Sequence, residues 1–208
     1  MNEFKISDYQ GYAYSLESGD KNKIHLDNLI GYNSIFNHKI IYGTLIFLKV
    51  IKKLKIKKLS QYSINIQFIK AFKYNEPIKY NKTKIFQKNF GLAYIHYSKK
   101  TEYQFKDEKL KLIKTVKLKN FNSNKKSISA DKKIRIILNH LSWYVGMINP
   151  GKYSLINNIN LIYNSNILKS KKFTIYSKKI SKFPIIKNRI TFDNFIVEFT
   201  TSIRPHIK

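Results

Sequence analysis

The chain has 208 residues and a formal net charge of +28, from 40 Lys and Arg against 12 Asp and Glu. Its hydrophobic fraction of 43% can bury a core, which excludes a wholly disordered chain. It contains no cysteine, which excludes disulfides, thiolate zinc sites and cysteine nucleophiles. Residues 1–5 do not resemble a signal peptide and the apolar stretch 40–51 is too short to span a bilayer, so we expect a cytoplasmic protein with no membrane partner.

The first informative segment is residues 15–27, SLESGDKNKIHLD, an acidic segment in a strongly basic chain. Asp20 and His25 are five positions apart, which is out of phase for neighbours on one helical face. A loop opened by Gly19 would let both side chains converge, and a carboxylate beside an imidazole can hold a water and move a proton. Taken singly, Asp20 could instead form an Asx-turn or cap a helix, and His25 could be a surface histidine or a hydrogen-bonded core histidine.

The rest of the first half predicts a buried helix followed by strands. Residues 40–52 are apolar on most faces, so we expect a helix that begins near Tyr42 and Gly43 and exposes backbone N–H groups at its start. Of the residues before segment 15–27, only residues 1–9 are available to form a strand. Apolar and polar residues alternate in four later stretches, which predicts strands at 64–68, 78–85, 91–98 and 103–116.

The second half repeats this order. Residues 118–131 are polar and unpatterned, which is typical of a linker, and residues 134–147 predict a second apolar helix that ends before Asn149-Pro150-Gly151. Strands are predicted at 155–163, 172–178 and 190–203. We therefore predict an α+β fold with a first unit at 1–117, a linker at 118–131 and a second unit at 132–208.

Segment 18–27, SGDKNKIHLD, followed by Tyr42-Gly43, resembles the signature of the MaoC-like, R-specific enoyl-CoA hydratases. That family has the hot-dog fold, a curved antiparallel sheet wrapped around a long apolar helix, so the resemblance implies a double hot-dog here. Three positions depart from the signature: Lys23 replaces a Pro, Gly31 stands where Ala or Ser is usual, and Tyr42 replaces a His. The second half lacks the acid–base motif, so we expect a degenerate hot-dog unit there.

The resemblance also implies a function, a hydro-lyase that adds or removes water on a short enoyl- or 3-hydroxyacyl-thioester such as an acyl-CoA. By this resemblance Asp20 and His25 hold and deprotonate the water, and the Gly43 N–H stabilises the enolate oxygen. Asn22 and Ser18 would support the loop geometry. This chemistry needs no metal or redox cofactor, and the sequence has no clustered ligands for one.

Three further residues in or next to this segment are expected to be structural. Asp27 is expected to cap the following helix, and Tyr14 and Leu16 are expected to be core contacts.

Two other functions stay open. The chain could be a non-catalytic acyl-thioester-binding protein that kept the loop for folding. It could also bind nucleic acid, because Lys-rich runs such as residues 52–58 suit a polyanion. We favour compositional drift for the charge, since Lys is scattered along a chain rich in Ile, Asn, Tyr and Phe. A basic rim would also suit the phosphates of an acyl-CoA. The oligomeric state is open, a homodimer being one option.

Overall fold

The computed structural model describes residues 2–53, 62–99, 110–117, 130–151, 153–163, 172–180, 185–192 and 195–203. The described helices are α1 (Asp8–Ser18), α2 (Asn28–Tyr32), α3 (Gly43–Lys53) and α4 (Ala130–Met147), with a short 3-10 helix at Lys23–His25. The described strands are β1 (Asn2–Lys5), β2 (Tyr62–Lys70), β3 (Pro77–Tyr80), β4 (Lys84–Phe86), β5 (Leu92–Lys99), β6 (Lys111–Lys117), β7 (Ser154–Tyr163), β8 (Lys172–Lys179), β9 (Ile185–Phe192) and β10 (Phe195–Ile203).

The described strands form one antiparallel sheet made of two units with the same connectivity. Its order is β1-β3-β4-β5-β2-β7-β10-β9-β8-β6. Along the chain, each unit begins with its edge strand, continues with a helix and then forms its innermost strand. The next three strands of the unit fill the sheet in order from the edge strand inward. The units join where β2 pairs with β7, from Ser63↔Ile162 to Gln67↔Asn158. The predicted sheet with an apolar helix in each half is confirmed.

The core lies between the sheet and the helices α3 and α4, which contact each other. Helix α3 buries residues around most of its circumference, as expected for a helix without a solvent face. On β2 and β7, alternate residues point into this core because successive side chains of a strand face opposite sides. These inward residues are Ile64, Ile66, Ile159 and Leu161. Within the described ranges, no helix is long and apolar enough to cross a membrane.

The connection between β1 and α3 distinguishes the two units. Residues 6–42 hold α1, the 3-10 helix and α2, whereas only residues 118–129 lie between β6 and α4. A capping box between Ser7 and Gln10 begins α1, and Gly19 ends it with a φ of 77°, a conformation that favours glycine. Asp27 accepts hydrogen bonds from the N–H groups of Leu29 and Ile30, so its predicted role as a helix cap is confirmed.

Several predicted segments differ from the structure. Residues 15–18 are the last turn of α1 and not loop, because the capping box starts a helix that the weak apolar pattern did not reveal. Segment 78–85 is two strands, because the Asn81 side chain accepts hydrogen bonds from the N–H groups of Thr83 and Lys84 and forms a turn. Segment 190–203 spans the two paired strands β9 and β10. The prediction for Leu16 was wrong, since its side chain is 64% exposed.

The domain boundary stays a prediction. Strand β6 was assigned to the first unit, but it pairs with β8 at the far edge of the second unit. Its pairing therefore favours a boundary before Lys111. Residues 118–129 of the predicted linker and 103–109 of the predicted strand lie outside the described residues, and residues 130 and 131 begin α4.

Candidate active site

A cavity of about 640 Å³ lies where the segment after α1 meets the start of α3 and the end of α4. The ends of β2 and β7 that face this region close its sides. The polar side chains and the helix start that concern the chemistry are Asp20, Asn22, His25, Tyr42, Gly43 and Ser142. The structure thus brings the predicted acid–base residues to one cavity, whose walls come from both units.

Asp20 is a buried carboxylate held on both oxygens. The Ser142 hydroxyl donates to Oδ2 over 2.7 Å, and the Asn22 backbone N–H donates to Oδ1 over 3.0 Å. Burial raises the pKa of Asp20 to about 6, although both hydrogen bonds favour the ionised form and lower it. The hydrogen bond from the Asn22 N–H to the Asp20 side chain, two residues earlier, is that of an Asx-turn. The predicted local role of Asp20 in a turn is therefore also present. A carboxyl group with a pKa near neutrality can take up and release a proton at working pH.

His25 presents a neutral ring with one free lone pair. Its Nδ1 lies 2.8 Å from the Ile40 carbonyl oxygen, which only accepts, so Nδ1 carries the hydrogen and Nε2 is the acceptor. Burial lowers the pKa of the imidazole to about 4, although this hydrogen bond favours the charged form. His25 is therefore neutral above about pH 5 and can accept a hydrogen bond from a water.

Gly43 is the first residue of α3, so its N–H has no acceptor within the helix. It lies at a helix start, where the dipole favours negative charge. The backbone is also tightly packed here, because a Cβ on Gly43 would lie 3.1 Å from the ring of Phe68 on β2. Close helix–sheet packing therefore also accounts for a glycine at this position, and it does not compete with a donor role for the N–H.

Asn22 and Ser18 hold the segment between the 3-10 helix and α1. The Asn22 side chain is buried and donates to the carbonyl of Ser154 at the start of β7, over 3.4 Å. The Ser18 hydroxyl donates to the Tyr14 carbonyl and accepts from the Asp20 N–H. Both contacts fix the backbone on either side of Asp20.

The comparisons with known proteins identify the fold. No family model and no curated protein matches the sequence. A MaoC domain protein from Chloroflexus aurantiacus is 10% identical with a TM-score of 0.57, over 99% of this chain and 94% of that one. A MaoC-like dehydratase is 7% identical with a TM-score of 0.54, over 97% and 96%. An acyl-ACP thioesterase from Bacteroides thetaiotaomicron is 8% identical with a TM-score of 0.47, over 97% and 96%.

This chain has the hot-dog fold. The predicted fold class is confirmed, and the two units of equal connectivity make it a double hot-dog.

The second hot-dog unit supplies two residues to the site that the sequence did not indicate. Ser142 donates to Asp20, and Gly146 leaves room for it, because a Cβ on Gly146 would lie 2.0 Å from Oδ1 of Asp20. The two residues are one helical turn apart on α4, so they face the same side. Ser142 and Gly146 are the two small residues among the large apolar side chains of residues 141–147, which indicates a close approach to this end of α4 but does not identify the partner.

Tyr42, which stands where the signature has His, contacts both of the predicted catalytic residues. Its hydroxyl donates to the Asp20 backbone carbonyl over 2.9 Å, and its ring stacks on His25 with centroids 3.9 Å apart. The side chain is 1% exposed, and burial raises the pKa of its hydroxyl, so it stays a donor. The departure from the signature therefore changes the wall of the cavity and adds a support for the loop.

Replacing Tyr42 with Phe is expected to lower the free energy of unfolding by about 1–2 kcal/mol, because the buried Asp20 carbonyl loses its donor while the ring contact with His25 stays. Urea unfolding measures this loss. Tyr80→Phe is the control, since Tyr80 is equally buried but contacts Phe4 at the sheet edge away from the site. Equal stability of Tyr42→Phe and the parent chain would contradict the supporting role.

Among the residues that the structure describes, no group of three or more His, Cys, Asp or Glu side chains could hold a metal ion.

Proposed function

We propose that this chain is a MaoC-like hydro-lyase that adds water to, or removes it from, a short enoyl- or 3-hydroxyacyl-thioester. The observation that carries the proposal is the convergence of Asp20 and His25 on one cavity that also contains the start of α3. The fold shared with MaoC-like dehydratases supports it. An acyl-CoA or other acyl-thioester is the proposed substrate, and the cytoplasm remains the predicted location.

The water is held between two acceptors. Nε2 of His25 accepts one of its hydrogens, because the Ile40 carbonyl keeps the other ring nitrogen protonated. The ionised carboxylate of Asp20 accepts the other hydrogen. Both side chains are oriented by backbone and side-chain contacts, so the water is positioned before the thioester arrives.

Asp20 is the proton carrier in this scheme. Its pKa of about 6 suits uptake and release near neutral pH, whereas the imidazole, with a pKa of about 4, holds a proton poorly. In hydration, Asp20 takes one proton from the water, the hydroxide bonds to C3, and Asp20 returns the proton to C2. Dehydration is the reverse, and both directions begin with the carboxylate ionised.

The negative charge that develops on the thioester oxygen needs a donor. The N–H of Gly43 is unsatisfied within α3 and lies on the wall of the same cavity, at the positive end of the helix dipole. A preorganised donor of this kind stabilises an enolate oxygen most where water is excluded. The apolar residues beside it would surround the acyl chain, among them Ile46, Phe68 and Phe72.

Purified protein is expected to hydrate crotonyl-CoA, measured as the loss of its ultraviolet absorbance. Because the carboxylate must be ionised in both directions, kcat/KM should rise with pH and level off above about pH 6, the pKa of Asp20. A rate that falls through this range as pH rises would contradict the proton assignment, since it would require a protonated acid.

The same assay separates the alternatives. Saturable binding of acyl-CoA without turnover would indicate a non-catalytic binding protein. Release of free thiol without hydration would indicate hydrolysis of the thioester. Binding to nucleic acid that weakens steeply with salt, together with indifference to acyl-CoA, would select the nucleic-acid hypothesis.

A further inference from the structure

A second cavity, of about 510 Å³, lies at the opposite ends of the two core helices. The cavity with Asp20 contacts the start of α3 and the end of α4. The second one runs along α3 from Leu45 to Lys52 in its last turn, and it contacts the early part of α4 at Ile134 and Arg135. Helices α3 and α4 hold equivalent positions in the two hot-dog units. The second unit's equivalent of the first site should therefore lie near the start of α4 and the end of α3, where this cavity is found. Helix α1 forms its outer wall.

The chemistry of this second cavity differs from that of the first. Its floor is aliphatic, formed by Leu45, Leu48, Ile51 and Ile134. Among the described residues that line it are three cations, Lys49, Lys52 and Arg135, and one carboxylate, that of Glu17, which is paired with Arg135. The two lysines therefore leave an excess of positive charge over an apolar floor.

The cations are close enough to repel one another. Lys49 is half-buried, and burial lowers its pKa, with further lowering by the charges of Lys52, Lys53 and Arg135. Lys52 and Lys53 are in the last turn of α3, where cations complement the helix dipole. The helix dipole therefore explains the two cations in the last turn of α3. It does not explain Lys49, which lies on the cavity wall one turn earlier. An anion placed between these side chains would relieve the repulsion.

We propose that this second cavity binds an aliphatic anion, with its carboxylate or phosphate head group at Lys49 and Lys52 and its chain on the aliphatic floor. A small amphipathic ligand of this kind matches a cavity with one cationic side and one apolar side. The proposal does not depend on the hydro-lyase activity, because none of the residues that carry it lines the cavity with Asp20.

Calorimetry on the full chain tests this proposal with dodecanoate and dodecyl phosphate below their micelle concentrations. We expect one molecule bound per chain, and about tenfold weaker binding to Lys49→Met, which keeps the length of the side chain and removes the charge. Lys178→Met is the matched control, because Lys178 is exposed on β8 and lines neither cavity. Dodecanol should bind far more weakly than either anion. Leu48→Trp, checked for folding by circular dichroism, should block the floor.

Failure to bind either anion would overturn the proposal. Equal weakening by Lys49→Met and Lys178→Met would also overturn it, since the effect would then be general attraction to a basic protein. Competition by crotonyl-CoA would place the ligand in the first cavity and would likewise contradict it. Because these readouts measure binding of a non-substrate, an inactive enzyme would not affect the outcome.

Discussion

Replacing Asp20 with Asn is expected to remove hydration activity and, at the same time, to stabilise the fold above pH 6. The activity should fall by about 10²- to 10⁴-fold, the contribution usual for a positioned general base. The shape of the site should persist. The amide oxygen can still accept from the Asn22 N–H, and the amide nitrogen can face the Ser142 hydroxyl, which is itself able to accept.

The gain in stability follows from the raised pKa of Asp20. This carboxyl has a pKa of 3.8 in the unfolded chain and about 6 in the folded protein. Between these values the unfolded chain loses its proton first, so the parent protein loses stability as pH rises through this window and does not regain it above pH 6. Asn has no proton to lose. The variant should therefore be more stable by about 2–3 kcal/mol at pH 7, and the difference should vanish below pH 4.

Urea unfolding at pH 4 and pH 7 measures this difference, and crotonyl-CoA hydration measures the activity. Asp27→Asn is the matched control, because Asp27 is in the same segment but caps α2, a role that Asn fills equally well. Its activity and stability should stay close to those of the parent. If Asp20→Asn hydrated every short enoyl-CoA at the parent rate, the catalytic assignment would be wrong, and the binding-protein hypothesis would replace it.

The sequence was sufficient for the elements whose pattern is local. Helices α3 and α4 could be predicted because both are apolar-rich stretches of helical length, and the motif led us to expect Asp20, His25 and Gly43 at one cavity. Helix α1 was missed because its exposed face carries Tyr9, Tyr12 and Leu16, which blur the apolar period. Its capping box, Ser7 with Gln10, was the stronger local signal.

Contacts between distant segments could not be read from one chain. Ser142 and Asp20 are 122 positions apart, and nothing in either local sequence indicates the other. The same holds for Tyr42, whose contact with the Asp20 carbonyl involves backbone that any residue would offer. The second unit was expected to lack an acid–base motif of its own. The sequence did not indicate that this unit donates a hydrogen bond, through Ser142, to the Asp20 carboxylate of the first unit.

Replacing Gly146 with Ala is expected to displace Asp20 and to lower hydration by at least about a hundredfold. A Cβ at this position would lie 2.0 Å from Oδ1, 2.5 Å from Cγ and 2.7 Å from Oδ2 of Asp20, and no real contact is that short. The carboxylate is held by Ser142 and the Asn22 N–H, so moving it breaks both hydrogen bonds. The overpacked methyl group should lower the free energy of unfolding by about 1–3 kcal/mol. The higher helix propensity of Ala should offset about 1 kcal/mol of this loss.

A double-mutant cycle separates the clash with Asp20 from any other effect of the new methyl group. In the parent chain Gly146→Ala should destabilise, whereas in an Asp20→Ala background the obstructing carboxylate is absent. There the same change should be neutral or should stabilise by about 1 kcal/mol, the helix propensity gain alone. Ser142→Ala tests the hydrogen bond without a clash and should raise the pKa seen in the rate profile, because the bond favours the ionised carboxylate. An equal cost of Gly146→Ala in both backgrounds would mean that α4 does not meet Asp20, and the second hot-dog unit would then contribute walls to the cavity but no packing against the carboxylate.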